Sequence, residues 1–212
     1  MTAKHSAGEA RLKQAPRSFD LRERKRTRTR LMIQAEALRL FAEQGYAETT
    51  VEQIADAAAI SPRTFFRYFP TKEDVVLWDE YDPEAQELFS ARPADEPAAE
   101  TVRAIIRETL GGLQRRDREQ LLVRVRLLRE VPELRARLLE LQHQAGETMV
   151  AAFADRTNRA DELQLRVTAA ALNAAVVVAL DEWQKAGGAG DVLAVFEQAL
   201  AALARGTGEL RS

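Results

Sequence analysis

The sequence contains no cysteine and only two histidines among its 212 residues. Without cysteine the chain has no disulfides, no thiolate zinc sites and no cysteine nucleophile. The two histidines, His5 and His143, lie far apart and do not form the closely spaced pair that binds a catalytic metal. A glycine-rich phosphate loop and a nucleophile elbow are also missing. We therefore expect a protein that is not an enzyme and that carries no metal or cofactor.

Long apolar runs are scarce as well. The longest stretch without a charged residue is 167–180, which has 14 residues, whereas a membrane-spanning helix needs about 20. The amino-terminal region is polar and basic, without the apolar core of a secretory signal. We expect a cytoplasmic protein that does not bind a membrane.

Charge is distributed unevenly along the chain. Residues 1–72 contain 14 Lys+Arg and 8 Asp+Glu, whereas residues 73–212 contain 17 and 25, so the first part is basic and the second acidic. Six of the ten residues in 21–30 are basic. This asymmetry indicates either a module that binds a polyanion or a solvated basic tail beside an ordinary fold, and charge alone does not decide between them.

The apolar residues recur with helical spacing throughout. From Arg26 onward, Ile33, Ala37 and Phe41 lie on one stripe of a first predicted helix. Thr49 and Glu52 have the spacing of a capping box, which predicts the start of a second helix. Residues after 72 divide at turn signals into five or six further helices, and no segment shows the alternation of a strand.

The third predicted helix is short, because Ser61-Pro62 starts it and Pro70 ends it. Within it, Phe65 and Phe69 lie on one face, and Arg63, Phe66 and Arg67 lie on the other. Two short helices joined by a tight turn, the second with an arginine-lined outer face, are typical of a helix-turn-helix.

Residues 26–75 resemble the amino-terminal DNA-binding domain of TetR-family transcriptional regulators. The resemblance rests on three runs: Ile33 to Tyr46 with Ala37, Leu40, Phe41 and Gly45; Thr49-Thr50-Val51 with Ile54-Ala55; and Ser61 to Lys72 with Thr64, Tyr68 and Phe69. The run SPRTFFRYFPTKEDVVL is also similar to actinobacterial members that respond to ligands like acyl-CoA. The resemblance implies DNA binding by the residues Arg26, Arg28, Arg30, Thr49, Thr50, Arg63, Thr64, Phe66, Arg67, Tyr68 and Lys72.

Arg63 and Arg67 are the candidates for reading bases, since arginine can donate two hydrogen bonds to guanine in the major groove. The other candidates would contact phosphates or groove edges. Two residues depart from the family pattern. Phe66 replaces a frequent tyrosine and loses its hydroxyl contact, and Ala59 replaces the usual glycine of the turn, where a positive φ would strain alanine.

The predicted fold is all-α. It comprises a flexible basic tail (1–25), a three-helix DNA-binding domain (26–73) and a helical domain of about six helices for effector binding and dimerisation (74–212). The resemblance implies a homodimer through the last two helices, about residues 161–186 and 191–205. It also implies a small apolar or amphipathic effector bound inside the helical domain. Candidate effector-binding residues, whose direction cannot be deduced from the pattern, are Arg107, Gln120, Arg124, Met149 and Trp183.

The hypothesis is a ligand-released repressor that binds a palindromic double-stranded DNA operator as a homodimer. Activation instead of repression is an open variant of it. An effector-independent architectural DNA-binding protein is the alternative. A helical enzyme or carrier that uses only the helical domain 74–212 would need a cluster of polar catalytic or binding residues, which the sequence does not contain.

Overall fold

The computed structural model describes residues 21–79, 82–93, 95–111, 113, 115–157 and 162–206. Within these ranges the chain forms ten helices and no strand: α1 (Leu21–Gln44), α2 (Val51–Ala57), α3 (Pro62–Tyr68), α4 (Lys72–Leu77), α5 (Asp82–Ala91), α6 (Ala98–Leu110), α7 (Arg115–Glu130), α8 (Pro132–Thr157), α9 (Glu162–Lys185) and α10 (Val192–Arg205). The prediction of an all-α fold is confirmed. Most of the predicted tail, residues 1–20, lies outside the described residues.

Helix α1 begins at Leu21, five residues before the predicted start at Arg26. The prediction relied on the apolar stripe, which starts only at Ile33. Arginine and lysine are good helix formers on an exposed surface, so the basic segment extends the helix ahead of its first buried residue. Residues 21–25, which were predicted as tail, are therefore helical.

The chain divides into two compact units between Glu84 and Ala85. The first unit keeps α4 because the buried Gln34 side chain of α1 donates hydrogen bonds to the Val75 and Trp78 carbonyls, at 2.8 and 2.9 Å. The apolar interior of this unit comprises Ile33, Ala37, Leu38, Phe41, Ile54, Ala55, Ala58, Phe65, Phe69, Val75 and Val76.

The second unit is built around α9, which packs against α6, α7, α8 and α10. Its apolar interior comprises Val102 and Ile106 of α6, Leu172, Ala175, Ala179 and Trp183 of α9, and Val192, Phe196 and Leu200 of α10. Asp191 caps α10 by accepting a hydrogen bond from the Leu193 amide at 3.1 Å.

Helix α9 is unusually apolar for an exposed element. An 18-residue window within Leu163–Lys185 has a mean hydropathy of 1.7, so length and composition alone would allow this helix to cross a membrane. The length of the charge-free stretch 167–180 did not predict this. Only 17% of that window is buried. One such helix is weak evidence for a membrane span, since an apolar helix that packs between two protein surfaces has the same composition.

Candidate nucleic-acid interface

Helices α2 and α3 form the predicted helix-turn-helix, and each begins with a side-chain cap. Thr50 and Gln53 form a capping box at α2: the Gln53 amide donates to Thr50 Oγ1 at 3.2 Å, and the Thr50 amide donates to Gln53 Oε1 at 2.9 Å. The predicted box of Thr49 and Glu52 is therefore wrong by one residue. At α3, Ser61 Oγ accepts from the Thr64 amide at 3.1 Å, and Pro62 occupies the first turn as predicted.

The turn between α2 and α3 requires a left-handed residue. Ala59 has φ +54°, the only positive value at a non-glycine residue in the described part of the chain. Its amide donates to the Asp56 carbonyl at 3.0 Å, and the Ile60 amide donates to the Ala55 carbonyl at 2.9 Å. These bonds hold the turn tightly, so the strain expected from alanine at this position is present.

The two faces of α3 differ as the sequence predicted. Phe65 and Phe69 are 0% and 2% exposed, respectively, and their rings contact each other with centroids 6.1 Å apart. Arg63, Phe66 and Arg67 lie on the exposed side, with Phe66 52% exposed. Two guanidinium groups and an aromatic ring thus share one accessible face of a short helix.

Thr64 and Tyr68 lie on α3 beside this face, and Thr50 lies at the start of α2. The Thr50 side chain is exposed although it caps α2, and Thr64 Oγ1 lies 2.9 Å from Ser61 Oγ. The neighbouring Thr29 hydroxyl, and then the Arg67 guanidinium, hold the pKa of the Tyr68 phenol below its usual value. Arg67 also lies over the Tyr68 ring, 5.1 Å from its centroid.

Lys72 is tied to the loop that precedes α2. Its Nζ donates to the Tyr46 and Thr49 carbonyls at 2.9 and 3.3 Å, and it lies 4.4 Å from the centroid of the Tyr46 ring. The Tyr46 hydroxyl donates to Glu73 Oε1 at 2.9 Å. Lys72 thus lies at the start of α4, and its hydrogen bonds hold the loop that precedes α2.

Two of the predicted DNA-binding residues turn inward. Thr49 is 1% exposed, and its hydroxyl donates to the Gly45 carbonyl at 2.7 Å, so its prediction as a DNA contact needs correction. Arg30 lies 5.6 Å from the centroids of both Phe69 and Trp78, and burial followed by the charge of Arg26 lowers its pKa. Its contact with both rings, whose centroids lie 5.9 Å apart, gives Arg30 a role in the fold that the basic pattern did not reveal.

Arg26 and Arg28 remain exposed on α1. With Arg63, Arg67 and Lys72 they bring five positive charges to the first unit around the helix-turn-helix. The four exposed arginines among them suit phosphate oxygens, which carry the negative charge of DNA along its whole length.

The predicted effector residues are distributed over α6, α7, α8 and α9 of the described part of the chain. Arg107 is exposed and pairs with Glu197 at 3.1 Å, whereas Gln120, Arg124 and Met149 are half-buried on α7 and α8. Trp183 is 1% exposed, and its indole Nε1 has no hydrogen-bond acceptor among the described residues.

An open groove of about 680 Å³ lies instead between α8 and α9. None of the five candidates lines it. Its apolar lining includes Leu163, Val167 and Val178, which are 74, 60 and 53% exposed, respectively. The apolar residues of this surface recur at helical spacing on the side of α9 opposite its buried stripe, so the sequence pattern could have indicated it. The prediction assigned α9 to dimerisation without separating its two faces.

Two family models match the chain. The model for bacterial regulatory proteins of the tetR family matches residues 33–77, and the model for the MftR C-terminal domain matches residues 96–208. The first match spans the helix-turn-helix and α4, and the second spans the end of the α5–α6 connection through α10.

Among characterised relatives, the HTH-type transcriptional regulator TcmR of Streptomyces glaucescens is 33% identical over 177 residues, which are 79% of this chain and 78% of that protein. Two solved structures share the fold. The fatty acid degradation regulator FadR of Bacillus halodurans has a TM-score of 0.59 and 18% identity, covering 85% of this chain and 98% of that one. FadR of Thermus thermophilus, a repressor solved with lauroyl-CoA, has a TM-score of 0.51 and 24% identity, covering 86% and 97%.

Proposed function

The chain belongs to the TetR family of bacterial regulatory proteins, and from that premise we propose that it is a ligand-released repressor which binds a palindromic operator as a homodimer. Regulators of this family bind DNA, and they are not enzymes. The observation that carries the proposal is the exposed face of α3, where Arg63, Phe66 and Arg67 stand together above the buried Phe65.

On this proposal α3 enters the major groove. Arg63 and Arg67 read guanines by donating to O6 and N7, and the Phe66 ring packs on a thymine methyl group. Since Phe66 lacks a hydroxyl, it contributes apolar contact and shape instead of a phosphate bond. The capping of α3 by Ser61 supports this role, because a helix whose first turn is fixed presents its side chains in a defined direction.

The phosphate contacts come from the residues around that face: Arg26, Arg28, Thr50, Thr64, Tyr68 and Lys72. They position the first unit, called the head from here on, on the DNA duplex without reading its sequence. Arg30 and Thr49 act indirectly, since their contacts hold α1 and the α1–α2 loop against the rest of the head. The DNA-binding role thus belongs to the first unit, and effector binding and dimerisation belong to the second.

Dimerisation through α9 and α10 supplies the two half-site contacts. A two-fold symmetric dimer matches a palindromic operator whose half-sites lie about 34–36 Å apart. A small apolar or amphipathic effector in the second unit changes that separation and releases the DNA, within a coupling free energy of about 1–3 kcal/mol. The lauroyl-CoA bound to the Thermus repressor supports an effector of acyl-CoA type. The proposal places this regulator in the cytoplasm, where bacterial DNA lies.

Binding of the purified protein to DNA from its own upstream region, compared with scrambled DNA at fixed near-physiological salt, tests the proposal. We expect a preference of about 10³ or more with two protomers per operator. Arg63→Ala should cost about 1–3 kcal/mol at one base position and relax specificity there. Arg39→Ala is the matched control, because Arg39 on α1 pairs with Glu36 and Glu43 at 2.9 and 2.6 Å.

Equal affinity for both DNAs, in the wild type and the Arg63 variant alike, would contradict sequence-specific repression and favour the architectural alternative. A screen of acyl-CoA esters of several chain lengths against the protein–operator complex tests the release step. If no ester, and no free fatty acid of the same length, lowers the operator affinity, the acyl-CoA type of effector is wrong.

A further inference from the structure

Phe66 is an aromatic side chain of α3 that the fold leaves half uncovered. Its ring is 52% exposed, whereas the rings of Phe65 and Phe69 on the same helix are 0% and 2% exposed. It stands where the family pattern has a frequent tyrosine, so this chain has an apolar ring at a position that would otherwise direct a hydroxyl to a phosphate. The ring therefore needs an apolar partner if it contacts DNA at all.

The direction of the Phe66 ring is set by the core beneath it. The ring packs edge-to-face on buried Phe65, with centroids 5.6 Å apart and the planes at 90°, which is a favoured geometry for two aromatic rings. Phe65 contacts the Phe69 ring in turn. The uncovered part of Phe66 is thus held outward by a rigid support.

Arg63 is the guanidinium group available beside this ring. It lies three residues before Phe66, and side chains at that spacing are helix neighbours about 5–6 Å apart. Arg63 is exposed and forms neither an ion pair nor a hydrogen bond within the part of the chain that the structure describes. Arg67, by contrast, lies over the Tyr68 ring and lowers the pKa of its phenol.

A methylated pyrimidine next to a guanine offers partners to both side chains. In the major groove, guanine presents the acceptors O6 and N7 to an arginine, and the apolar group that base edges present there is the C5-methyl of thymine. Successive bases rise by about 3.4 Å along a strand, so two side chains about 5–6 Å apart reach neighbouring base pairs.

Thymine is not the sole base with this methyl group. 5-Methylcytosine carries it on the same ring carbon, whereas cytosine and uracil carry hydrogen there. An apolar ring that contacts the methyl group therefore separates methylated from unmethylated pyrimidines, and treats thymine and 5-methylcytosine alike at that atom.

We propose that α3 reads a C5-methylated pyrimidine beside a guanine, with Phe66 on the methyl group and Arg63 on the guanine, so that cytosine methylation at this step strengthens operator binding. The inference rests on the DNA binding proposed above. It adds a response to a covalent mark on the DNA, which is independent of any effector in the second unit.

Deoxyuridine removes the methyl group of thymine and leaves its base pairing unchanged, so it provides the first test. The upstream DNA fragment is prepared with thymidine or with deoxyuridine triphosphate, and the affinity of the full-length protein for each is measured at fixed salt. Loss of one buried methyl contact should weaken binding about fourfold per half-site, and by more than about tenfold for two half-sites.

Phe66→Ala assigns that loss to one side chain. Single deoxyuridine substitutions across the fragment should reveal a position in each half-site that weakens binding by the wild type and leaves binding by Phe66→Ala unchanged. Since the ring is half exposed, the variant should keep the wild-type circular dichroism spectrum. Met32→Ala is the matched control, because Met32 is a 41% exposed apolar side chain on α1 and its loss should leave the deoxyuridine effect intact.

The second test places cytosine or 5-methylcytosine, each paired with guanine, at the position so identified. The wild type should bind the methylated DNA about fourfold more tightly per half-site, and Phe66→Ala should bind both forms equally. Equal binding of both forms by the wild type would overturn the proposed response to methylation.

The outcomes also separate this inference from the function on which it rests. If the wild type prefers its upstream DNA to scrambled DNA but binds the thymidine and deoxyuridine forms equally, the methyl contact is wrong and the repressor proposal survives. If the methyl effect persists in Phe66→Ala, another side chain reads the group and the assignment to Phe66 is wrong. If upstream and scrambled DNA bind alike, the proposed function fails and the inference fails with it.

Discussion

Replacement of Ala59 by glycine should stabilise the DNA-binding head. Ala59 holds φ +54° in the turn of the helix-turn-helix, a conformation that costs an L-residue with a Cβ atom roughly 1–2 kcal/mol. Glycine removes that strain but loses about 0.5–1 kcal/mol more backbone entropy on folding. The difference leaves a net gain of about 0.5–1 kcal/mol for Ala59→Gly.

The matched control is Ala57→Gly, two residues earlier at the end of α2. Ala57 is exposed and helical, so the same chemical change there brings only the entropy cost, about 0.5–1 kcal/mol of destabilisation. The two variants should therefore shift stability in opposite directions, although they differ from the wild type by the same atoms.

Urea unfolding followed by circular dichroism measures both effects, and hydrogen exchange of the α2 and α3 amides assigns them to the head. This assignment matters because the chain has two compact units, which need not unfold together. If Ala59→Gly destabilises the protein as much as Ala57→Gly does, the turn is not strained and the reasoning from its φ angle is refuted.

Three further predictions concern single side chains. Gln34→Leu should destabilise the head by about 1–3 kcal/mol in urea unfolding, since two carbonyl groups at the end of α4 lose their donor; an unchanged midpoint would show that water replaces the amide without cost. Burial opposes ionisation of Glu73, but its own backbone amide and the Tyr46 hydroxyl outweigh this and lower its pKa. That ionisation stabilises the head above the unfolded-state pKa, near 4.3, and the contribution is lost as pH falls through the folded pKa. Tyr46→Phe should therefore raise the Glu73 pKa measured by NMR and weaken the loss of stability on acidification, and an unmoved pKa would contradict the role of this hydroxyl. Gly146→Ala, in the groove between α8 and α9, should raise stability by about 0.5–1 kcal/mol, because the site is helical and open; a lower midpoint would mean that the groove is filled.

Local signals in the sequence predicted the head well. Ser61-Pro62 and Pro70 delimit α3, and the alternation of Phe65 and Phe69 with Arg63 and Arg67 assigns its two faces, because a short amphipathic helix beside a core can bury only one of them. The position of Ala59 could be anticipated too, since a tight turn between helices commonly needs a left-handed residue.

Partners distant in the chain could not be predicted in the same way. Thr49 and Thr50 are equivalent as caps by spacing, and the choice of Thr50 depends on Thr49 reaching the Gly45 carbonyl inside the head. Arg30 belongs to a basic run typical of DNA contacts, but its guanidinium group packs against the rings of Phe69 and Trp78. Both outcomes depend on which elements come together after folding, which helical periodicity does not encode.

The sequence by itself determined the family, the all-α class and the identity of the outward side chains on α3, because these follow from local spacing, capping and proline placement. Only the tertiary structure decided that α4 belongs with the head, that none of the five effector candidates lines the groove between α8 and α9, and that one apolar face of α9 is exposed among the described residues. The reason is physical. An apolar stripe predicts that one face of a helix is buried. Which surface covers that face depends on three-dimensional packing against segments that are remote in sequence.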